Sequence, residues 1–222
     1  MDLLDRVHPV AGPLLDRVDA TLVAGGAPAG HPIWPLLRRL GALPGEAVAH
    51  LAAVAPDGLT PASDDLHQHA DRYRQRVDEV PMPAGWRGPT ADAYAASWSA
   101  LAAHLAGTGP DTLAGRLADT ANYLDDVAAW LTRARRAVAG TVAECLGSAE
   151  AVTLHAGSGD PGPSPGAVTT AAATIGAHLL ATVVEVLDDG RALHDRWAGR
   201  LDELSYRPPA PARTSSANLR LG

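Results

Sequence analysis

The stretch LHQHADRYRQRVDEVPMPAGWRGPTADAYAASWSALAAHL, residues 66–105, decides the fold of this chain. Its first half carries an apolar stripe at Leu66, Ala70, Tyr73, Val77 and Val80. Steps of four and three residues are the period of one helix face, so the stripe predicts an amphipathic α-helix. We expect this helix to begin near Ser63, a good N-cap residue, and to end at Pro81, because proline lacks an N–H donor.

A second apolar stripe follows a short break in the helical pattern. Its residues are Tyr94, Trp98, Leu101 and Leu105. This second helix is predicted to begin at Pro89, where a missing N–H costs little, and to end at Gly107. Trp86-Arg87-Gly88 lies between the two helices. Two amphipathic helices of similar length around a short break favour an antiparallel hairpin, with Trp86 and Gly88 at its turn.

The whole chain is predicted to be all-α, because no alternating apolar and polar run is long enough for a strand. Pro9 and Pro13 should divide the N-terminus into short helices. A long third helix is expected over 111–146, and its apolar seam has a seven-residue repeat. The predicted organisation is a short-helix segment (1–58), the hairpin with the third helix (59–148), a Gly/Pro/Ser linker (149–167), a C-terminal helix (168–206) and a disordered tail (207–222).

Composition and charge exclude several functional classes. The 222 residues carry a formal net charge of −7, and all 18 basic residues are arginines. Nucleic-acid binding draws on clustered basic residues, so we expect no nucleic-acid partner. The single cysteine, Cys145, excludes an intrachain disulfide. The N-terminus lacks the apolar core of a secretory signal, and no run of about 18 uninterrupted apolar residues predicts a membrane span.

Several short motifs suggest catalysis, but none has the context that the chemistry needs. Gly162 to Gly166 fits G-x-S-x-G, yet prolines flank Ser164, whereas a nucleophile elbow joins a strand to a helix. His67, His69 and Asp71 form H-x-H-x-D, but residues two apart on a helix point to different faces. Solvent-facing side chains explain the Asp-Asp pairs better than a metal site does. The position of Cys145 in an apolar seam indicates a buried, inert thiol. We therefore expect no enzymatic activity, cofactor or metal.

Residues 66–105, with Trp86-Arg87-Gly88 between two helices, resemble the WXG100 (ESX-type) superfamily of type VII secretion. The resemblance covers less than half of the chain, and members of that family are typically less than half as long. It implies a secretion substrate, partner or structural component built on a helical hairpin. The family's export signal is often a tyrosine followed four residues later by Asp or Glu. None of the chain's tyrosines has an acidic residue at that spacing.

The predicted function is therefore non-enzymatic helix–helix binding within a type VII secretion system. The expected partner-binding residues are Trp86, Gly88, Tyr94, Trp98, Leu101 and Leu105. The expected partner is a second copy, a small Trp-x-Gly protein or a secretion ATPase, with a homo- or heterodimer as the assembly. We expect a cytoplasmic protein or one exported without a cleaved signal. The alternatives are a cytoplasmic structural or chaperone-like helical domain without a secretion role, and a delivery module detached from a toxin.

Overall fold

A computed structural model describes residues 1–80, 85–156 and 163–204, and within them the fold is all-α, with helices joined by loops and no strand. A short 3₁₀ turn, Pro56–Gly58, lies between the third and fourth α-helices. The α-helices are α1 (Leu3–Gly25), α2 (Ile33–Leu40), α3 (Pro44–Ala53), α4 (Leu59–Glu79), α5 (Pro89–Ala106), α6 (Leu113–Leu146), α7 (Ala149–Ala156) and α8 (Pro165–Glu203).

The chain forms two compact units. Unit 1 comprises residues 1–62 and 123–196, and unit 2 comprises residues 63–122 together with the chain from Trp197 onward. The boundaries fall within α4, α6 and α8, so each of these helices contributes residues to both units. The predicted division at residues 58, 148 and 167 follows chain order. The compact units instead combine segments that are distant in sequence.

Unit 1 contains a core of large aliphatic side chains. Leu4, Ile33, Val48, Leu154 and Leu180 are fully buried there, which brings together α1, α2, α3, α7 and α8. Val138 and Val142 of α6 belong to the same cluster. Burial of one such side chain contributes about 1.5–3 kcal/mol, so this cluster is the main source of stability in unit 1.

The prediction that prolines divide the N-terminus was wrong. Helix α1 runs without interruption through Pro9 and Pro13. Both prolines face solvent, where water replaces the lost backbone hydrogen bonds. On the opposite face a buried stripe continues past both of them, at Leu4, Ala11, Leu14, Leu15, Val18 and Leu22. Burial of this continuous stripe outweighs the cost of about 3 kcal/mol for each internal proline.

A buried arginine connects three helices of unit 1. The Arg135 side chain on α6 is 1% exposed. Its Nε and Nη2 atoms donate to the Asp2 carboxylate at 2.5 and 3.1 Å, and Nη2 also donates to Asp5 at 2.5 Å. Its Nη1 donates to the carbonyl oxygens of Leu51, Ala52 and Val54, at 2.8–3.0 Å. Every guanidinium N–H therefore has an acceptor, as a buried arginine requires.

The same carboxylates cap the first helix. Asp2 accepts the backbone N–H of Asp5 at 3.1 Å, and Asp5 accepts the backbone N–H of Asp2 at 2.7 Å, which is a capping box. The hydrogen bonds from Arg135 lower the pKa of Asp2 to about 2. One cation thus fixes the start of α1 and the end of α3 against α6.

The predicted linker is partly helical, which corrects its lower boundary. Residues 149–156 form α7, because Ala151 and Leu154 are buried in the core of unit 1. Residues 157–162 lie outside the described part of the chain, and so does the predicted tail, 207–222. Helix α8 begins at Pro165, three residues earlier than predicted for the C-terminal helix. The Ser164 hydroxyl lies 3.3 Å from the Ala167 N–H, so this serine caps α8 and has no nucleophile-elbow context.

Glycines in the middle of α8 mark close contacts with other helices. A Cβ atom at Gly176 would lie 2.7 Å from Ile33 and 2.9 Å from Pro44. A Cβ atom at Gly190 would lie 2.6 Å from the Trp130 ring. The helix continues through both glycines. Close packing within unit 1 therefore accounts for these two glycines, which would otherwise reduce helix propensity.

Helix α8 also meets the length and mean hydropathy expected of a membrane-spanning helix, although the sequence contains no uninterrupted apolar run. Half of the most apolar window is buried inside the protein. Helices α6 and α7 meet the same length and hydropathy criteria only when they are taken together, and a bend of 57° separates them. Ile175, Leu179 and Leu180 of α8 are at most 2% exposed in the core of unit 1. Burial in a protein core is a sufficient physical reason for this apolarity.

Candidate functional site

The candidate site lies in unit 2, where α5 begins directly after Trp86-Arg87-Gly88. Gly88 is the N-cap of α5 and has a φ of 106°, a conformation that favours glycine. Its carbonyl oxygen accepts the Asp92 N–H at 3.0 Å, which starts the helix. No heavy atom lies within 4 Å of a Cβ built at Gly88. The backbone conformation at the start of α5 therefore requires this glycine, and close approach by another segment does not.

Trp86 packs against the first turns of α5. The centroids of the Trp86 and Tyr94 rings are 5.3 Å apart, and the rings are tilted by 49°. This distance and tilt are typical of a favourable aromatic pair. The Trp86 side chain nevertheless remains 45% exposed, and Tyr94 remains 41% exposed. The pair forms an aromatic surface at the N-terminal end of α5.

The predicted stripe on α5 separates into exposed and partly buried positions. Leu101 is 46% exposed and Tyr94 is 41% exposed, whereas Trp98 and Leu105 are partly buried. Trp98 and Leu105 line a groove of about 360 Å³ together with side chains of α4. The α4 side of the groove consists of His69, Arg72, Tyr73, Arg76, Val77 and Val80. The structure thus brings two of the six predicted residues into one groove and places three others at exposed positions on or just before α5.

Sequence reasoning missed the contribution of α4 to this site. Tyr73 and Val80 lie on the predicted α4 stripe and are 37% and 42% exposed. Arg72 and Arg76 are adjacent to that stripe in sequence and add positive charge to the groove. Arg76 is paired with Glu79 at 3.0 Å, and Arg72 donates to Gln68 at 3.0 Å. The four-residue spacing of the two arginines was the signal that could have identified them.

Unit 2 buries few large apolar side chains. Within its described residues, Trp197 is buried, and the other buried apolar side chains are all alanines, at Ala70, Ala91, Ala114 and Ala121. Arg200 lies over the Trp197 ring at 5.3 Å. Most large apolar groups of α4 and α5 consequently remain accessible. Apolar surface of this kind, next to a groove, is suited to binding another apolar surface.

The metal-like motif on α4 does not form a ligand set. His67, His69 and Asp71 lie on one helix, where residues two apart face different directions. The His69 Nδ1 atom is 2.6 Å from the Asp65 carbonyl oxygen. Within residues 1–80, 85–156 and 163–204, no group of three His, Cys, Asp or Glu side chains is placed to hold a metal ion.

Cys145 lies in the buried seam of α6, as predicted for this thiol. It is 4% exposed and belongs to the core of unit 1. Burial, reinforced by the nearby Glu144 and Glu150 carboxylates, raises its pKa to about 11. The thiolate is the reactive form, so this residue has the properties of a structural cysteine.

Comparisons with known proteins add no relative. No family model, no curated protein and no solved structure matches this chain.

Proposed function

We propose that the chain is a non-enzymatic partner protein of the WXG100 type, which acts in type VII secretion through helix–helix contacts. In this proposal α4 and α5 form an antiparallel hairpin with Trp86-Arg87-Gly88 at its turn. Residues 81–84 of that turn lie outside the described residues. The partner is a helical protein with an apolar face, either a small Trp-x-Gly protein or a second copy of this chain.

One observation carries the proposal: unit 2 leaves several large apolar side chains exposed to solvent. Trp86, Tyr94 and Leu101 are each 41–46% exposed and lie along the start and one face of α5. Tyr94 and Leu101 are seven residues apart, so they occupy nearly the same face of the helix. A partner helix that covered this face would bury apolar surface at about 25 cal/mol per Å².

The groove between α4 and α5 gives this surface a position for an anchoring side chain. Trp98 and Leu105 line the groove on the α5 side, and Arg72 and Arg76 line it on the α4 side. Interfaces commonly combine a central apolar pocket with a polar rim, and aromatic and arginine residues contribute most of their binding energy. This arrangement favours a partner helix with an apolar face and acidic flanks.

The test is the affinity of the full chain for a small Trp-x-Gly protein encoded beside its gene, and for itself. We expect light scattering to detect a complex larger than the 22.8 kDa chain. Trp86→Ala should weaken that complex by at least tenfold, because a central aromatic anchor contributes about 2 kcal/mol or more. Leu101→Glu should weaken it further, because it places a charge in the apolar face.

Matched controls are available in unit 1. Trp34 is 38% exposed and Val152 is 69% exposed, so Trp34→Ala and Val152→Glu make the same kinds of change on other surfaces. Both controls should leave the complex unchanged. If the control variants weaken the complex as much as Trp86→Ala and Leu101→Glu do, the α5 face is not the binding site. A chain that stays monomeric with every neighbouring Trp-x-Gly protein would contradict the proposed function.

A further inference from the structure

Unit 1 contains an apolar cavity that has no part in the α4–α5 surface. Its volume is about 320 Å³, and its walls come from α6, α8 and the chain between the end of α2 and Val54. The lining residues are Leu40, Ala42, Ala47, His50, Leu51, Val54, Trp130, Leu131, Val183, Val186 and Leu187. Among them, His50 is the one titratable side chain.

The α3 side of the cavity is held in place by the buried arginine. Leu51 and Val54 line the cavity with their side chains, and their carbonyl oxygens accept hydrogen bonds from Arg135 Nη1 at 3.0 and 2.8 Å. Carbonyl groups at a helix C-terminus normally lack intrahelical partners. Because Arg135 donates to the carbonyl oxygens of Leu51 and Val54, these two backbone groups are paired on this side of the cavity.

The α8 side of the cavity is held by Trp130. The indole Nε1 donates to the Val186 carbonyl oxygen at 2.9 Å, so the donor of this lining side chain is satisfied. The ring also packs against Gly190, where any side chain would collide with it. These contacts fix the ring between α6 and α8. Both walls thus have specific anchors that oppose collapse of the cavity.

The chemistry of the lining indicates the class of ligand. Water in the cavity would have few hydrogen-bond partners in the protein, because the lining is almost entirely apolar, and the Trp130 indole N–H and the Leu51 carbonyl oxygen already have partners. An apolar cavity of roughly 150 Å³ is sufficient for benzene, and this one is about twice as large. We infer that unit 1 contains a binding site for a compact, uncharged apolar molecule, about the size of two fused aromatic rings.

The test is titration of the full chain with 1-aminonaphthalene, an uncharged two-ring probe whose fluorescence responds to apolar surroundings. We expect saturable binding with one probe per chain. Val54 is 52% exposed at the cavity, so Val54→Trp should fold normally and obstruct the entrance. Ala42→Leu should fill the cavity from the loop before α3. Each variant should weaken probe binding by at least about tenfold, a loss equivalent to about 1.4 kcal/mol.

Val152→Trp is the matched control, because Val152 is an exposed valine on α7 outside the cavity lining. It should bind the probe as the unaltered chain does, with an unchanged melting temperature. Absence of saturable binding, or equal binding by Val54→Trp and Val152→Trp, would overturn the assignment. Competition tests the charge of the ligand. Cyclohexylmethanol should displace the probe at least tenfold more effectively than cyclohexanecarboxylate, and the opposite order would overturn an uncharged ligand.

Discussion

The two units of this chain use apolar residues in opposite ways. Unit 1 buries large aliphatic side chains such as Leu4, Ile33 and Leu179 at 0–2% exposure. In unit 2, Tyr94 and Leu101 remain more than 40% exposed, and the buried apolar side chains are mostly alanines. Both arrangements arise from helices with a regular apolar stripe. Amphipathic periodicity therefore shows which face of a helix is apolar, but not whether the same chain covers that face.

This contrast assigns different roles to the units. A core of large side chains gives unit 1 its own source of stability. Unit 2 retains apolar area that becomes stabilising only when another surface covers it. Substitutions of the same kind should consequently have large effects on folding in unit 1 and small effects in unit 2.

Removal of the buried arginine should have the largest effect. Arg135→Ala removes the guanidinium donor to the carbonyl oxygens of Leu51, Ala52 and Val54, and it removes the charged partner of Asp2. We expect it to lower the free energy of unfolding by about 3–5 kcal/mol, as measured by urea denaturation. Arg133→Ala on the exposed face of α6 should change it by no more than about 0.5 kcal/mol. Similar losses from both variants would show that the network does not hold the unit together.

Shortening one leucine in each unit compares them directly. Leu179→Ala in unit 1 should cost about 2–5 kcal/mol, because it removes a side chain that is 1% exposed and leaves a cavity. Leu101→Ala in unit 2 should cost about 0.5 kcal/mol or less, because 46% of that side chain is already in solvent. Calorimetric melting measures both. A large loss for Leu101→Ala would mean that the α5 face contributes to folding.

Glycine substitution tests how closely helices approach in unit 1. Gly190→Ala should lower the free energy of unfolding by about 1–3 kcal/mol, because the new methyl group would lie 2.6 Å from the Trp130 ring. Gly140→Ala is the control: it lies within α6 with no atom within 4 Å of the added Cβ. It should raise stability by about 0.5–1 kcal/mol through helix propensity. Stabilisation by both changes would show that Trp130 moves aside easily.

The smallest expected effect is the contribution of Asp2 to the pH dependence of the free energy of unfolding. Its pKa falls from 3.8 to about 2 on folding, so its contribution is complete above about pH 4 and is lost as the pH falls toward 2. The advantage of the unaltered chain over Asp2→Asn should be about 1 kcal/mol near neutrality, since 39% of the side chain is exposed and solvent screens the pair. Denaturation at several pH values should show this difference narrowing between pH 4 and pH 2. A constant difference would exclude Asp2 as the source.

Much of the helical structure was predictable because it depends on local patterns. The stripes of α4 and α5 identified both helices, and Pro89 identified the start of α5. The expected start of α4 near Ser63 was wrong, because α4 begins four residues earlier, at Leu59. The end of α6 at Leu146 followed from its seven-residue seam. Prediction failed at α1, where a local signal, proline, was outweighed by a buried stripe on the opposite face. It also failed at α7, a short helix that depends on two buried residues.

For the candidate site, the apolar face of α5 could be predicted from spacing, and the contribution of α4 could not. Tyr94 and Leu101 lie on the face that periodicity indicates. Which side chains line the groove beside Trp98 depends on how α4 packs against α5, and no spacing within one helix contains that information. The Trp86–Tyr94 ring contact likewise depends on the path of the chain into α5.

The sequence by itself determined the all-helical class and the apolar faces of α4 and α5. These properties depend on neighbouring residues and on the preferences of the backbone. Tertiary structure alone decided that Arg135 is buried, that Gly190 accommodates Trp130 and that unit 1 contains an apolar cavity. Each of those depends on groups that are distant in the chain and meet only when the helices pack. For that reason they leave no periodic signal in the sequence.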